Sequence, residues 1–169
     1  MNSDQGSVLD PTNLTKQMET LLLCFEGITG SGKSSLIADM KKTCRRIGKH
    51  HDIYIDRFSA SLWVYGRELE ECLKLERMIQ SCGVYIYLTV DPEIAWNREA
   101  DSKKDTYKIT RETVERTRVG FHKYFTEYCT LPVIVRDSST LIDSEALIKE
   151  IEVVHEARMA GRTLSPFKA

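Results

Sequence analysis

Apolar residues recur along the chain in two rhythms, short runs of β-formers and longer stretches with helical spacing, and the two alternate. Leu21-Leu22-Leu23-Cys24-Phe25 is an apolar run of buried-strand type. Ser34 to Arg46 follows with Leu36, Ile37 and Met40 on one side of a helix, and Gly48 reads as its stop. Asp52 to Arg57 is a short strand ending in an acid and a base, and Ser61 to Gln80 reads as a long helix interrupted once at Gly66. Pairs such as Glu70 and Lys74 give that helix a solvated face. Val84 to Val90 is nearly continuous in β-formers, as in a parallel strand covered on both faces. Asp91-Pro92-Glu93 then opens a helix, with Asp91 as N-cap and Pro92 at the first helical position. The charged run 98–109 breaks the helical pattern. Beyond it come a helix from Arg111 to Tyr128, a strand Val133 to Arg136, a polar loop Asp137-Ser138-Ser139-Thr140 and a helix from Ser144 to Met159. Strands alternating with helices predict a three-layer α/β fold with a mostly parallel sheet of about four strands, its topology restricted by right-handed crossovers. The predicted organisation is an arm over 1–19, a domain over 20–159 and a tail over 160–169.

Composition narrows the function classes. The chain has 169 residues, a net charge of -1 and 29% charged residues, a surface with no excess of positive charge for bulk binding of nucleic acid. Cys24, Cys44, Cys72, Cys82 and Cys129 show no C-x-x-C pairing, and reduced thiols in the cytoplasm are the simplest reading. No apolar stretch approaches the roughly 18 residues of a membrane span, so no membrane partner is expected. His50, His51, His122 and His155 show no metal-ligand spacing with cysteine or acid partners.

The candidate chemistry lies where the first strand meets the first helix. Gly27-Ile28-Thr29-Gly30-Ser31-Gly32-Lys33-Ser34 satisfies G-x-x-x-x-G-K-[ST], with Ser35 following. Gly27, Gly30 and Gly32 allow a tight loop to turn its amides inward around a polyphosphate. Lys33 reaches the β and γ phosphates in such a loop, Ser34 ligates a phosphate-bound Mg²⁺, and the helix directs its positive end at the same anion. Strand, glycine loop and helix stand in the required order for a three-layer P-loop NTPase fold, for which the sheet order 2-1-3-4 is expected, and ATP with Mg²⁺ is the expected pair of cofactors. Asp56 and Arg57 leave their strand at the same C-terminal edge of the sheet, where ligands of open α/β sheets bind.

Three blocks together resemble the thymidylate kinase family of P-loop kinases: Phe25 to Ser34, Asp56 to Gly66, and Tyr85 to Glu93. They stand in the family's order, and the likeness continues weakly over most of residues 20 to 155. The resemblance implies transfer of the ATP γ-phosphoryl group to a nucleoside monophosphate. It implies that Lys33 holds the transferred phosphate, that Ser34 and Asp56 serve the metal, and that Arg57 clamps the acceptor phosphate or the group in flight. Arg98, with Lys103 and Lys104, would belong to a lid over ATP, and the Asp137 loop would lie near the adenine. A homodimer is implied by the same resemblance. Two departures stand out. Only twenty-two residues separate Lys33 from Asp56, so the family's extra strand-helix unit with its Arg-Glu-Pro segment is missing, and Thr29 stands where the family carries an aspartate for the acceptor sugar.

Three classes follow. The first is a compact nucleotide kinase whose acceptor pocket is rebuilt from Phe58, Trp63 and Tyr65, residues that also suit ordinary core packing. The second is a kinase of a hydroxyl acceptor such as a deoxynucleoside, with Glu26 as general base, a role that the similar deoxynucleoside kinases give to this acid. The third is a nucleotide-binding regulatory protein without catalysis.

Overall fold

The computed structural model describes residues 20–49, 52–101 and 110–162. Its elements follow in the order β1 (Leu22–Glu26), α1 (Lys33–Arg46), β2 (Ile53–Asp56), α2 (Ser59–Val64), α3 (Leu69–Met78), β3 (Gly83–Thr89), α4 (Pro92–Asp101), α5 (Arg111–Lys123), a π turn (Tyr124–Tyr128), β4 (Val133–Asp137) and α6 (Ser144–Met159). The four strands form one parallel sheet in the order β2-β1-β3-β4, the order expected of the P-loop fold.

Strand alternation explains the layers. On β3, Val84, Ile86 and Leu88 point to one face, where Leu36, Ile37 and Met40 of α1 and Leu147, Ile148 and Ile151 of α6 cover them. Tyr85 and Tyr87 point to the other, against Phe121, Tyr124 and Phe125. Six of the seven β3 residues are buried, so the run of β-formers seen in the sequence is the central strand it resembles. Each buried Leu, Ile or Phe contributes about 1.5–3 kcal/mol through removal of apolar surface from water.

Three helices differ from the pattern expected of their sequence. The predicted helix over Ser61 to Gln80 is two helices, α2 and α3, and α2 begins earlier, at Ser59. Gly66, at φ 102°, makes the break, and the early start has an acceptor in Glu26, described below. Helix α4 continues into the charged run as far as Asp101, because Arg98, Glu99 and Ala100 are good helix formers whatever their polarity. The helix predicted to end at Tyr128 widens after Lys123 into a π turn, closed by Cys129 N donating to Tyr124 O at 3.0 Å. The N-cap at Asp91 is as expected, its carboxylate accepting from Glu93 N at 2.8 Å. The arm over 1–19, most of the 160–169 tail, His50, His51, Lys103 and Lys104 lie outside the described residues.

A fully buried carboxylate ties the second face together. Glu76 of α3 accepts from Tyr85 Oη at 2.9 Å, Tyr124 Oη at 2.7 Å, Thr130 N at 2.8 Å, Thr130 Oγ1 at 2.7 Å and Ser59 Oγ at 3.3 Å. One side chain thus joins α3 to β3, to the π turn, to the lead-in of β4 and to the start of α2. All five cysteines are free thiols, and no described helix is long and apolar enough to cross a membrane.

Candidate functional site

The loop between β1 and α1 closes at the C-terminal edge of the sheet, and two of its glycines are required by close approach. A Cβ at Gly27 would stand 2.5 Å from Leu88 O, and one at Gly30 would collide with the backbone of Ala95. The loop therefore fits only as bare backbone between β3 and α4. Gly32, at φ 83°, leads into α1, whose first amide groups face the loop.

Lys33 turns back over this loop. Its Nζ donates to Gly27 O and Ile28 O, both at 2.9 Å, and to Ser31 Oγ at 3.2 Å. Burial chiefly, and then the nearby Arg57 charge, pull its pKa down to about 8, while Asp56, Glu26 and Glu99 pull the other way. Ser34 Oγ donates to Asp56 Oδ2 at 3.0 Å, so the hydroxyl and carboxylate named from the sequence as a metal pair do meet. Both are hard oxygen donors of the kind Mg²⁺ takes together with substrate phosphates.

Arg57, immediately after β2, is the one described non-glycine residue with positive φ, at 71°. A left-handed backbone at a bulky residue is strained, and here it aims the guanidinium across the sheet edge. Nη2 donates to Thr29 Oγ1 at 3.3 Å and Nη1 to Tyr65 Oη at 3.1 Å, with the tyrosine ring 5.4 Å from the guanidinium carbon. Arg57 thus spans from the glycine loop to the end of α2 instead of folding onto Asp56. Beside it opens a cleft of about 540 Å³ lined by Arg57, Phe58, Ser61, Leu62, Tyr65 and Arg67 among others. Of the three aromatics offered for an acceptor pocket, Phe58 and Tyr65 line this cleft. Trp63 packs inward instead, against Tyr124 at 5.6 Å and Tyr128 at 5.3 Å between ring centroids.

Glu26 is fully buried at the end of β1, and the start of α2 takes up its carboxylate. Oε1 accepts from Phe58 N at 2.7 Å and Ser61 N at 3.0 Å, and Oε2 accepts from Ser61 Oγ. Burial pushes its pKa above the ordinary glutamate value, against the lowering effect of the Ser61 and Phe58 hydrogen bonds and of Lys33. The acid acts here as a cap delivered from another strand, satisfying helix amides that no local side chain caps.

On the other side of the loop, Arg98 of α4 donates to Gly30 O at 3.3 Å, Ser138 O at 2.7 Å and Ser139 O at 3.4 Å. It clamps the glycine loop to the loop after β4, and between them lies a second cleft of about 340 Å³, reaching from Ser31, Gly32 and Ser35 to Asp39, Leu141 and Ile142. Asp137 does not line it. Its carboxylate accepts from Ser139 N at 2.8 Å, an Asx turn that shapes the loop, and it faces a separate cavity with Thr89, Arg118 and His122. Two residues that shape the site escape sequence reasoning: Asp39, which reads as helix surface, and Glu76, whose partners are scattered along the chain.

No protein-family model matches the chain, and no curated protein sequence does. Solved structures do. YorR from Bacillus subtilis, crystallised with phosphorylated GDP, superposes with a TM-score of 0.62 at 17% identity, over 82% of this chain and 98% of its own. Deoxyadenosine kinase from M. mycoides superposes with TM-scores of 0.58 (bound dCTP, 12% identity, 79% of this chain, 100% of its own) and 0.55 (bound dATP, 13%, 78% and 99%). At such identities the likeness is one of fold. The α/β fold with its parallel sheet in the order β2-β1-β3-β4 is what the chain shares with these structures.

Proposed function

We propose that the chain is an ATP- and Mg²⁺-dependent kinase that transfers the γ-phosphoryl group to a nucleoside monophosphate, with residues 20–159 as its kinase domain. The observation that carries this reading is the contrast between Arg57 and Glu26. Arg57 holds its guanidinium beside the loop, at the mouth of the cleft lined by Phe58 and Tyr65. Glu26, the base that a hydroxyl acceptor would need, already accepts three hydrogen bonds from the start of α2. A phosphate acceptor is ionised at neutral pH and needs charge neutralisation rather than a base.

In this reading the polyphosphate replaces the loop oxygens as partner of Lys33, and the base of the donor enters the 340 Å³ cleft. Ser34 and Asp56 would hold Mg²⁺, which supplies charge neutralisation at the β and γ phosphates. An oxygen of the acceptor phosphate attacks the γ phosphorus, the bond to the β–γ bridging oxygen breaks, and ADP leaves. Arg57 and Lys33 orient the two anions and offset their mutual repulsion. The kinase folds named above support phosphoryl transfer in general, and the choice of a monophosphate acceptor rests on Arg57 and Glu26.

The test is transfer of label from γ-labelled ATP to nucleoside monophosphates, nucleosides and a 5′-hydroxyl oligonucleotide. Labelled diphosphate is expected, lost in Lys33→Ala and reduced about a hundredfold or more in Arg57→Ala. Label on a hydroxyl would restore Glu26 as base and overturn the acceptor reading. ATP binding with no transfer to any of the three classes would make the chain a nucleotide-binding protein without kinase activity.

A further inference from the structure

We infer that Asp39 selects the phosphoryl donor by accepting a hydrogen bond from an amino group on the donor base, an inference that rests on the assignment of the 340 Å³ cleft to the donor. Asp39 stands six residues beyond Lys33 on α1, about 9 Å along the helix axis. Ser35 and Asp39, one turn apart, both line the cleft, so it leads from the phosphate loop to this carboxylate. Its walls suit a flat ring: Leu36, Leu88 and Ile142 are apolar, and Leu141 is 98% exposed at its side. Among the cleft's lining residues Asp39 is the one carboxylate.

The carboxylate is oriented and half free. Ser144 Oγ, at the start of α6, donates to Asp39 Oδ2 at 2.5 Å, across 105 positions of sequence. Oδ1 makes no hydrogen bond among the described residues. An ionised carboxylate only accepts, so the base edge that meets it must carry N–H groups, and an oxo group in the same place meets like charge and finds no donor. Adenine offers its 6-amino group and guanine its 2-amino group; hypoxanthine has the same purine frame and neither amine.

Binding of ATP, GTP and ITP to the wild-type chain and to Asp39→Asn tests this. The wild type is expected to bind ATP or GTP about tenfold more tightly than ITP, and whichever of the two shows the preference identifies the amine that is read. Asparagine keeps a carbonyl for Ser144 but turns an N–H₂ toward the base, so in Asp39→Asn the ratio should fall to one or below. The ratio is internal to each variant, and a general loss of structure lowers all three affinities together without altering it. Asp39→Ala gives the same comparison without the new donor. Equal wild-type affinities for all three nucleotides, or a preference that survives in both variants, would overturn the role of Asp39. Absence of binding by all three to the wild type would overturn the donor cleft itself.

Discussion

Burial draws Lys33 toward its neutral form, and Arg57 adds to the effect. A polyphosphate binds the ammonium and not the amine, so nucleotide affinity should be flat near pH 7 and fall as pH rises through about 8, approaching tenfold per pH unit. Lys33→Met should remove that step, and titration calorimetry between pH 7 and 9.5 would show it; a wild-type profile flat to pH 9.5 would count against Lys33 as the phosphate ligand. Stability carries the opposite sign. The folded chain gives up this proton near pH 8 and the unfolded chain near 10.4, so between those values the group's contribution to stability rises with pH. At this scale the legible residues are those whose partners are close in sequence or fixed by a motif: Gly27, Gly30, Lys33 and Ser34. The Ser34–Asp56 pairing could be expected because both leave the sheet at one edge. Asp39 could not, because a polar residue on a helix reads as solvated until Ser144 is known to lie across from it.

Two buried acids decide how the helices of one layer attach. Glu26 caps α2 and Glu76 gathers α3, β3 and the π turn, and Ser59 stands between them, the residue at the start of α2 that donates to Glu76. Removing the Glu76 carboxylate leaves the Tyr124 hydroxyl and the Thr130 amide without their acceptor, each losing about 1–3 kcal/mol of compensation if it stays dry, and leaves the Tyr85 hydroxyl with Ser59 Oγ alone. Glu76→Ala is therefore expected to lower unfolding stability by about 3 kcal/mol or more in urea, with Glu76→Gln retaining part of it. Equal stability of wild type and Glu76→Ala would mean that water or rotation satisfies these groups at no loss. Element types were legible because each strand is a dense apolar run and each helix carries a stripe. The early start of α2 and the extension of α4 were not, since one depends on a carboxylate 33 positions upstream of Ser59 and the other on helix propensity overriding a polar pattern.

At the scale of the molecule, both clefts and the loop lie at the C-terminal ends of the strands, so a bound nucleotide would touch β1, α1, α4 and the loop after β4 at once. Binding to the folded state alone stabilises by mass action, about 2.7 kcal/mol at a hundredfold excess over Kd. ATP with Mg²⁺ should raise the melting temperature of the wild type, chelation of the metal should reverse part of the rise, and Lys33→Ala should abolish it; a shift retained in that variant would place the ligand elsewhere. The parallel sheet was legible from alternation and its strand order from the glycine-loop motif and the fold it marks, whereas the division of labour between the two clefts depends on side-chain directions that periodicity does not carry.

Strand β2 is an outer strand of the sheet, and its Ile53 is 51% exposed. Ile53 and Arg57 give their amides to β1, so those of Tyr54 and Asp56 turn outward. Lys41 and Arg45 border the same margin beside Tyr54, with Asp52 among them and Lys49 paired to Glu152, and the positive charge left over on two approaching molecules holds such margins apart. The colloidal behaviour of concentrated solutions is then governed by ionic strength: light scattering should report more self-association as salt rises from low to several hundred millimolar, and less if Ile53 is replaced by lysine. Scattering that falls as salt is added would show that attraction between opposite charges, and not this guarded strand, sets the limit on concentration.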